Sequence, residues 1–173
     1  VYDPDETDNP TGPESGEVRV VRGGSFEGAS FNIRSANRGS NDPTVALYRI
    51  GFRCISPRPT ATATPIDVVT KSREQDGMEM VYVLEGTFEM GSTTEDIDKE
   101  PEGPIRNVYL DAFWIDKFEV SNSQYEQCVS ARACSEPHDL SSYKHNDYFG
   151  NETYASYPVI WLDWYQARDY CHW

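Results

Sequence analysis

The sequence has no long apolar run, little positive charge and few metal-ligating side chains. No stretch reaches the roughly 20 apolar residues that cross a bilayer, so no membrane-spanning segment is expected. Lys and Arg number 15 against 29 Asp and Glu, for a net charge of −14. Tracking a phosphate backbone requires clustered cations, so no nucleic-acid partner is expected. The acidity favours solubility and says little about fold. There are three histidines, His138, His145 and His172, and four cysteines, Cys54, Cys128, Cys134 and Cys171. They contain no C-x-x-C pair and no zinc-like spacing. No metal site is therefore expected, and the cysteines read as disulfides or buried thiols. Between Arg22 and Arg53 there is no cysteine. The chain has no initiator Met and no signal peptide, and it stops at Trp173 inside a helical pattern. An internal fragment of a longer protein is expected.

What is present can build a core: 38% hydrophobic residues, with 4 Trp, 11 Tyr and 7 Phe. The 56–65 stretch, SPRPTATATP, buries too little to fold and reads as an extended, stiff linker. IDVVTKSREQDG continues it. The expected division is 1–54, linker 55–77, and 78–173. From the lead DPDETD onward, Asp3, Asp5 and Glu14 stand in loose imitation of a calcium loop. Asp8 stands where that pattern needs Gly and Pro10 interrupts it, so a solvated loop is the better reading. NPTGP is a turn. EVRVV alternates as a strand, and RIGFRC reads as a short last strand with Ile50 and Phe52 on one face.

In the second part, MVYVLEGTFEMGS predicts two strands flanking Glu85-Gly86 as a hairpin, and NVYLDAFWIDKFEV predicts more strand. Ser121 and Gln124 then form a capping box, with Val120 and Tyr125 placed for a hydrophobic staple. Tyr125, Cys128 and Val129 share a helical face. A second helix starts near Asp163, with Gln166 three residues on and Trp164, Ala167 and Cys171 on its buried side. Residues 135–157 lack a period and read as a long surface loop. Cys128 and Cys134 stand six apart at the end of the first helix. A small disulfide loop is expected there, provided the helix ends between them; two free thiols are the alternative.

MVYVLEGTFEMGS, LDAFWIDKFEVSNSQY and YPVIWLDWYQARDYCHW resemble the N-terminal half of a formylglycine-generating enzyme domain, also called a sulfatase-modifying factor domain. NPTGPESGEVRVVRGGSF, RSANR and IGFRC resemble the C-terminal end of the same domain. The order here is tail first and head second, which reads as two partial tandem copies. The family's middle segment, including its Gly-Asn-x-Trp-Glu-Trp calcium-binding stretch, is missing. The resemblance implies an irregular α+β fold related to C-type lectins, with short antiparallel strands and two helices, here incomplete.

In catalytic members of that family, two cysteines after RGGS bind copper and oxidise a substrate cysteine to formylglycine; soft thiolates suit Cu(I). Here Ser25 matches the family serine. The first cysteine position falls on Gly28 and the second near Asn32 or Ile33. No catalytic residue and no cofactor are therefore expected in this fragment, although catalytic relatives use copper and calcium. Arg22, Arg34, Arg38 and Arg53 could bind an anion, but internal ion pairing is the preferred reading. Ser25 has no His nearby in sequence to activate it. Trp161, Trp164 and Trp173 read as core rather than pocket.

The resemblance without the thiols implies a non-catalytic binding module in a multidomain protein, exported or on the cell surface of a bacterium. Its recognition loop would include His138, Tyr143, His145, Tyr148 and Tyr154, with a protein or carbohydrate ligand. Two alternatives stand beside it: a different metal-dependent oxidase or oxygenase chemistry on the same frame, or an active loop lying beyond Trp173. The resemblance also pairs Cys54 with Cys171. In an intact tandem protein each would pair within its own copy. In this fragment the linker can let the tail half fold back, with EVRVV and RIGFRC pairing MVYVL.

Overall fold

The computed structural model describes residues 5–13, 15–25, 27, 37–57, 70–91 and 105–173. It divides into two compact units that interleave along the chain: Val1–Asp42 with Leu84–Ala112, and Pro43–Val83 with Phe113–Trp173.

In the first unit, β1 (Arg19–Val21) pairs antiparallel with β2 (Gly39–Asn41). A second ladder joins β6 (Gly86–Met90) to β7 (Arg106–Leu110). The acidic lead is partly built in: Asn9 N–H donates to Tyr109 O at 2.8 Å and Tyr109 N–H to Thr7 O at 2.8 Å. Val108 and Ala112 are buried, whereas Val18, Val20 and Phe88 are exposed.

The second unit holds a four-stranded antiparallel sheet in the order β3-β8-β5-β4. The strands are β3 (Ile55–Pro57), β4 (Thr70–Ser72), β5 (Glu79–Val83) and β8 (Phe113–Asp116). The alternation in FWID puts Trp114 and Asp116 inside, as a two-residue period requires. Across the ladder Tyr82 faces Trp114, with ring centroids 4.9 Å apart, and Lys71 lies 4.6 Å over the same indole.

Two helices pack on this unit. α1 (Asn122–Ser130) has the expected capping box: Gln124 N–H donates to Ser121 Oγ, and Ser121 N–H to Gln124 Oε1. The staple residues Val120 and Tyr125 are wholly buried. α1 ends in a Schellman motif. Arg132 is left-handed at φ 61°, with Arg132 N–H donating to Val129 O and Ala133 N–H to Cys128 O. That turn brings the chain back, and Cys128 bonds Cys134 with Cα atoms 5.3 Å apart. α2 (Trp164–His172) starts on a second capping box, between Asp163 and Gln166. The core gathers Cys54, Met78, Met80, Trp114, Val120, Tyr125, Cys128, Val159, Leu162 and Tyr170.

Several sequence expectations are corrected here. Glu85-Gly86 is no hairpin: β5 pairs with β4 and β8, and β6 pairs with β7. Arg49–Cys54 is not a strand; the strand begins at Ile55. EVRVV pairs with β2, and β3 pairs with β8, so neither joins MVYVL. Strand, not linker, occupies Ile55–Pro57 and Thr70–Ser72. On α2 the buried residue is Tyr170, while Trp164 and Cys171 are exposed. Tyr170 sits on the stripe shared with Asp163, Gln166 and Trp173, and its ring meets those of Phe52 and Tyr125.

The tail half nonetheless closes onto the head half within this unit. Cys54 and Cys171 form a disulfide with Cα atoms 5.4 Å apart. Phe52 O accepts from Val120 N–H at 3.0 Å, and Cys54 O from Asp116 N–H at 3.0 Å.

Candidate functional site

The sequence-derived catalytic loop is only partly visible. Ser25 is half-buried, while Gly28, Asn32, Ile33 and Arg34 lie outside the described residues. Arg22 Nη1 donates to Asn37 O at 3.4 Å, Arg38 is half-buried and Arg53 is exposed. The donor set for copper does not fit. All four cysteines are joined in the two disulfides, and thiolate is the ligand that chemistry requires. Among the described residues no group of three or more His, Cys, Asp or Glu side chains could hold a metal ion.

A buried charged cluster lies where tail and head meet, built on a residue assigned to the linker. Arg73 follows β4. Its Nη1 donates to Asp116 Oδ1 at 2.9 Å, Nη2 to Asp76 Oδ2 at 2.6 Å and Nε to Asp76 Oδ1 at 2.9 Å. Asp116 Oδ2 accepts from Cys54 N–H at 2.9 Å. Asp76 also accepts from Met78 N–H at 3.0 Å and from the Tyr170 hydroxyl. Gly77, at φ 72°, makes the tight turn between them. Burial pushes the Asp76 carboxyl up, but its bonds from Arg73, Tyr170 and Met78 N–H outweigh this and hold it below the ordinary value. For Asp116 burial wins, leaving it above the ordinary range despite Cys54 N–H and Arg73. Burial, reinforced by Asp76, likewise raises Tyr170. Each polar atom here faces a protein partner, so the cluster is structural.

The 135–157 segment is irregular apart from a single 3-10 turn, Glu152–Tyr154. The structure separates its five sequence-derived candidates. Tyr148 is buried and donates its hydroxyl to Pro158 O at 2.8 Å. Tyr154 lies 5.3 Å from the Tyr148 ring and 4.6 Å from His145. His138 Nε2 stands 3.2 Å from Asp163 Oδ2, beside the α2 cap. Tyr143 alone is strongly exposed, at 74%.

Tyr143 belongs to a stack that sequence reasoning missed. Its ring lies 6.1 Å from Tyr48 at an interplanar angle of 19°, and Tyr48 lies 5.6 Å from Trp161. Trp161 has φ 61°, a left-handed conformation that costs a non-glycine residue about 1–3 kcal/mol. Its indole N–H is buried without an acceptor. Tyr48 comes from the tail part and Tyr143 and Trp161 from the head part, so no local pattern announces the stack.

The model of the sulfatase-modifying factor enzyme 1-like domain family matches residues 2–58 and 66–173. The chain is 36% identical over 63 residues to the formylglycine-generating enzyme of Bos taurus, covering 36% of this chain and 17% of that protein. It is 38% identical over 66 residues to the formylglycine-generating enzyme of Thermomonospora curvata, covering 38% and 22%. The formylglycine-generating enzyme of Mus musculus is 41% identical over 93 residues, covering 54% and 23%. The chain spans about a fifth of the length of these curated relatives. No solved structure matches it.

Proposed function

Because the chain belongs to the sulfatase-modifying factor enzyme 1-like family, and its cysteines are all committed to disulfides, we propose that it is a non-catalytic binding module of that family. The observation that carries this reading is the cysteine inventory. No cysteine stands between Arg22 and Arg53, where the catalytic family it resembles places its copper-binding pair. What remains is a disulfide-clamped frame with a long irregular loop, and loops on rigid frames are where recognition concentrates. Two disulfides also fit an oxidising compartment, in keeping with an exported or cell-surface protein.

The test replaces the exposed residues 143–147 with a Gly/Ser run and leaves buried Tyr148 in place. Species captured by the native chain are expected to be lost from the variant, with the unfolding midpoint little changed. An unchanged set of captured species would end the proposal.

A competing reading is favoured by the identity to three formylglycine-generating enzymes. In it, the whole protein is a formylglycine-generating oxidase, or another metal-dependent oxidase, whose active loop lies outside this chain. Conversion of a sulfatase peptide's cysteine to formylglycine by the full-length protein, with stoichiometric copper, would support that reading over the binding module.

A further inference from the structure

We infer that Tyr143 is the stacking platform of a binding site for a neutral sugar ring, an inference that rests on the binding-loop reading above. Tyr143 is 74% exposed, its ring lies nearly parallel to that of Tyr48, and Tyr48 is in turn held by a tilted contact with Trp161. The fold carries both a left-handed Trp161 and an indole N–H with no acceptor to build that support. Backbone strain and unpaired buried groups are concentrated at functional sites.

The loop that presents the ring is held in one shape. Ser142 N–H donates to His145 O at 2.7 Å and His145 N–H to Ser142 Oγ at 3.2 Å. Ser141 N–H donates to Asp139 Oδ1 at 2.8 Å, and both Tyr148 and Phe149 N–H donate to Leu140 O. An exposed aromatic ring on such a loop loses little conformational freedom when a ligand arrives.

After Tyr143 come Lys144, His145, Asn146 and Asp147, all exposed. A flat aromatic ring on a loop whose next residues supply donors (Lys144, Asn146) and acceptors (Asn146, Asp147) is the complement of a pyranose. Such a ring has an apolar C–H face and a rim of hydroxyls that do both. Recognition sites pair aromatic surface with a few placed polar groups in this way. The chain's net charge of −14 opposes uronic or sulfated sugars, so the ligand is neutral.

Affinity electrophoresis of the whole chain, in gels containing amylose, cellulose derivatives, mixed-linkage glucan or galactomannan, tests this, with polygalacturonate as the acidic control. At least one neutral polysaccharide is expected to retard the chain, and polygalacturonate is not. Tyr143→Ala should weaken retardation about tenfold, the loss of one aromatic stacking contact, and Tyr143→Trp should preserve it. Tyr143 is exposed, so both variants should stay folded, with the unfolding midpoint shifted by no more than the loss of the Tyr48 contact. The inference is overturned by no retardation in any neutral gel, by retardation only in polygalacturonate, or by full retardation of Tyr143→Ala. If sugars fail while a protein partner is captured and lost on replacing 143–147, the sugar site falls and the binding loop stands. If both fail, both readings fall.

Discussion

Arg73 joins two buried carboxylates, Asp76 and Asp116, which the chain brings from different strands and turns. Removing one partner of such a cluster leaves the others charged and desolvated, which costs about 3–5 kcal/mol. Arg73→Met is therefore expected to lower unfolding free energy by about that amount in urea titration. A loss under about 1 kcal/mol, the worth of a surface pair, would show the cluster to be solvated. Acid should reveal its carboxylates. Asp76 is held below its ordinary 3.8 when folded, so its contribution is complete above that value. It is lost as pH falls through the lower folded value. Asp116, held above 3.8, works in the opposite sense, favouring the folded state at pH values below its folded pKa. The destabilisation caused by Asp76→Asn should thus shrink as pH is lowered below about 3.8, read from unfolding midpoints across pH. A difference that stays constant to the lowest accessible pH would contradict this assignment.

The helices were legible at the level of the element because their signals are local. Each capping box needs residues only three apart, and Ser121/Gln124 and Asp163/Gln166 both form. Ser121→Ala is expected to cost about 1 kcal/mol, and Ser121→Gly only a few tenths, measured by thermal or urea unfolding. Equal losses in the two variants would assign the effect to something other than the cap. The strands were less legible. MVYVL and GTFEM each read as strand, but their partners lie elsewhere in the sequence, and β5 and β6 enter separate sheets. Short loops suggest hairpins; they do not enforce them when each strand has a better-packed partner. RIGFRC alternates like a strand, yet its carbonyls at Phe52 and Cys54 meet Val120 and Asp116 outside any ladder.

For the molecule as a whole, the two disulfides differ most in the loops they close. Cys54–Cys171 spans 117 residues and Cys128–Cys134 only 6. Chain entropy alone makes the first worth about 5 kcal/mol and the second about 2. The Cys54→Ser/Cys171→Ser pair should therefore destabilise more than Cys128→Ser/Cys134→Ser, compared by urea unfolding without reductant. The reverse order would show that packing around buried Cys128, rather than loop closure, dominates.

The sequence by itself determined the α+β class, the family, the two helix starts and the turn that brings Cys128 to Cys134. All of these are written in residues a few positions apart or in contiguous motifs. Only the tertiary structure decided which strands pair, that Arg73 leaves the linker to hold Asp76 and Asp116, and that Tyr170 rather than Trp164 faces the core. It also decided that Tyr143 stacks on Tyr48 and that Tyr48 packs, tilted, against Trp161. These outcomes turn on which distant segments exclude water together, and burial rewards total contact without regard to sequence separation. The Tyr143 contact was unreadable in the sequence because its partner Tyr48, and Trp161 against which Tyr48 packs, lie 113 residues apart by their numbers.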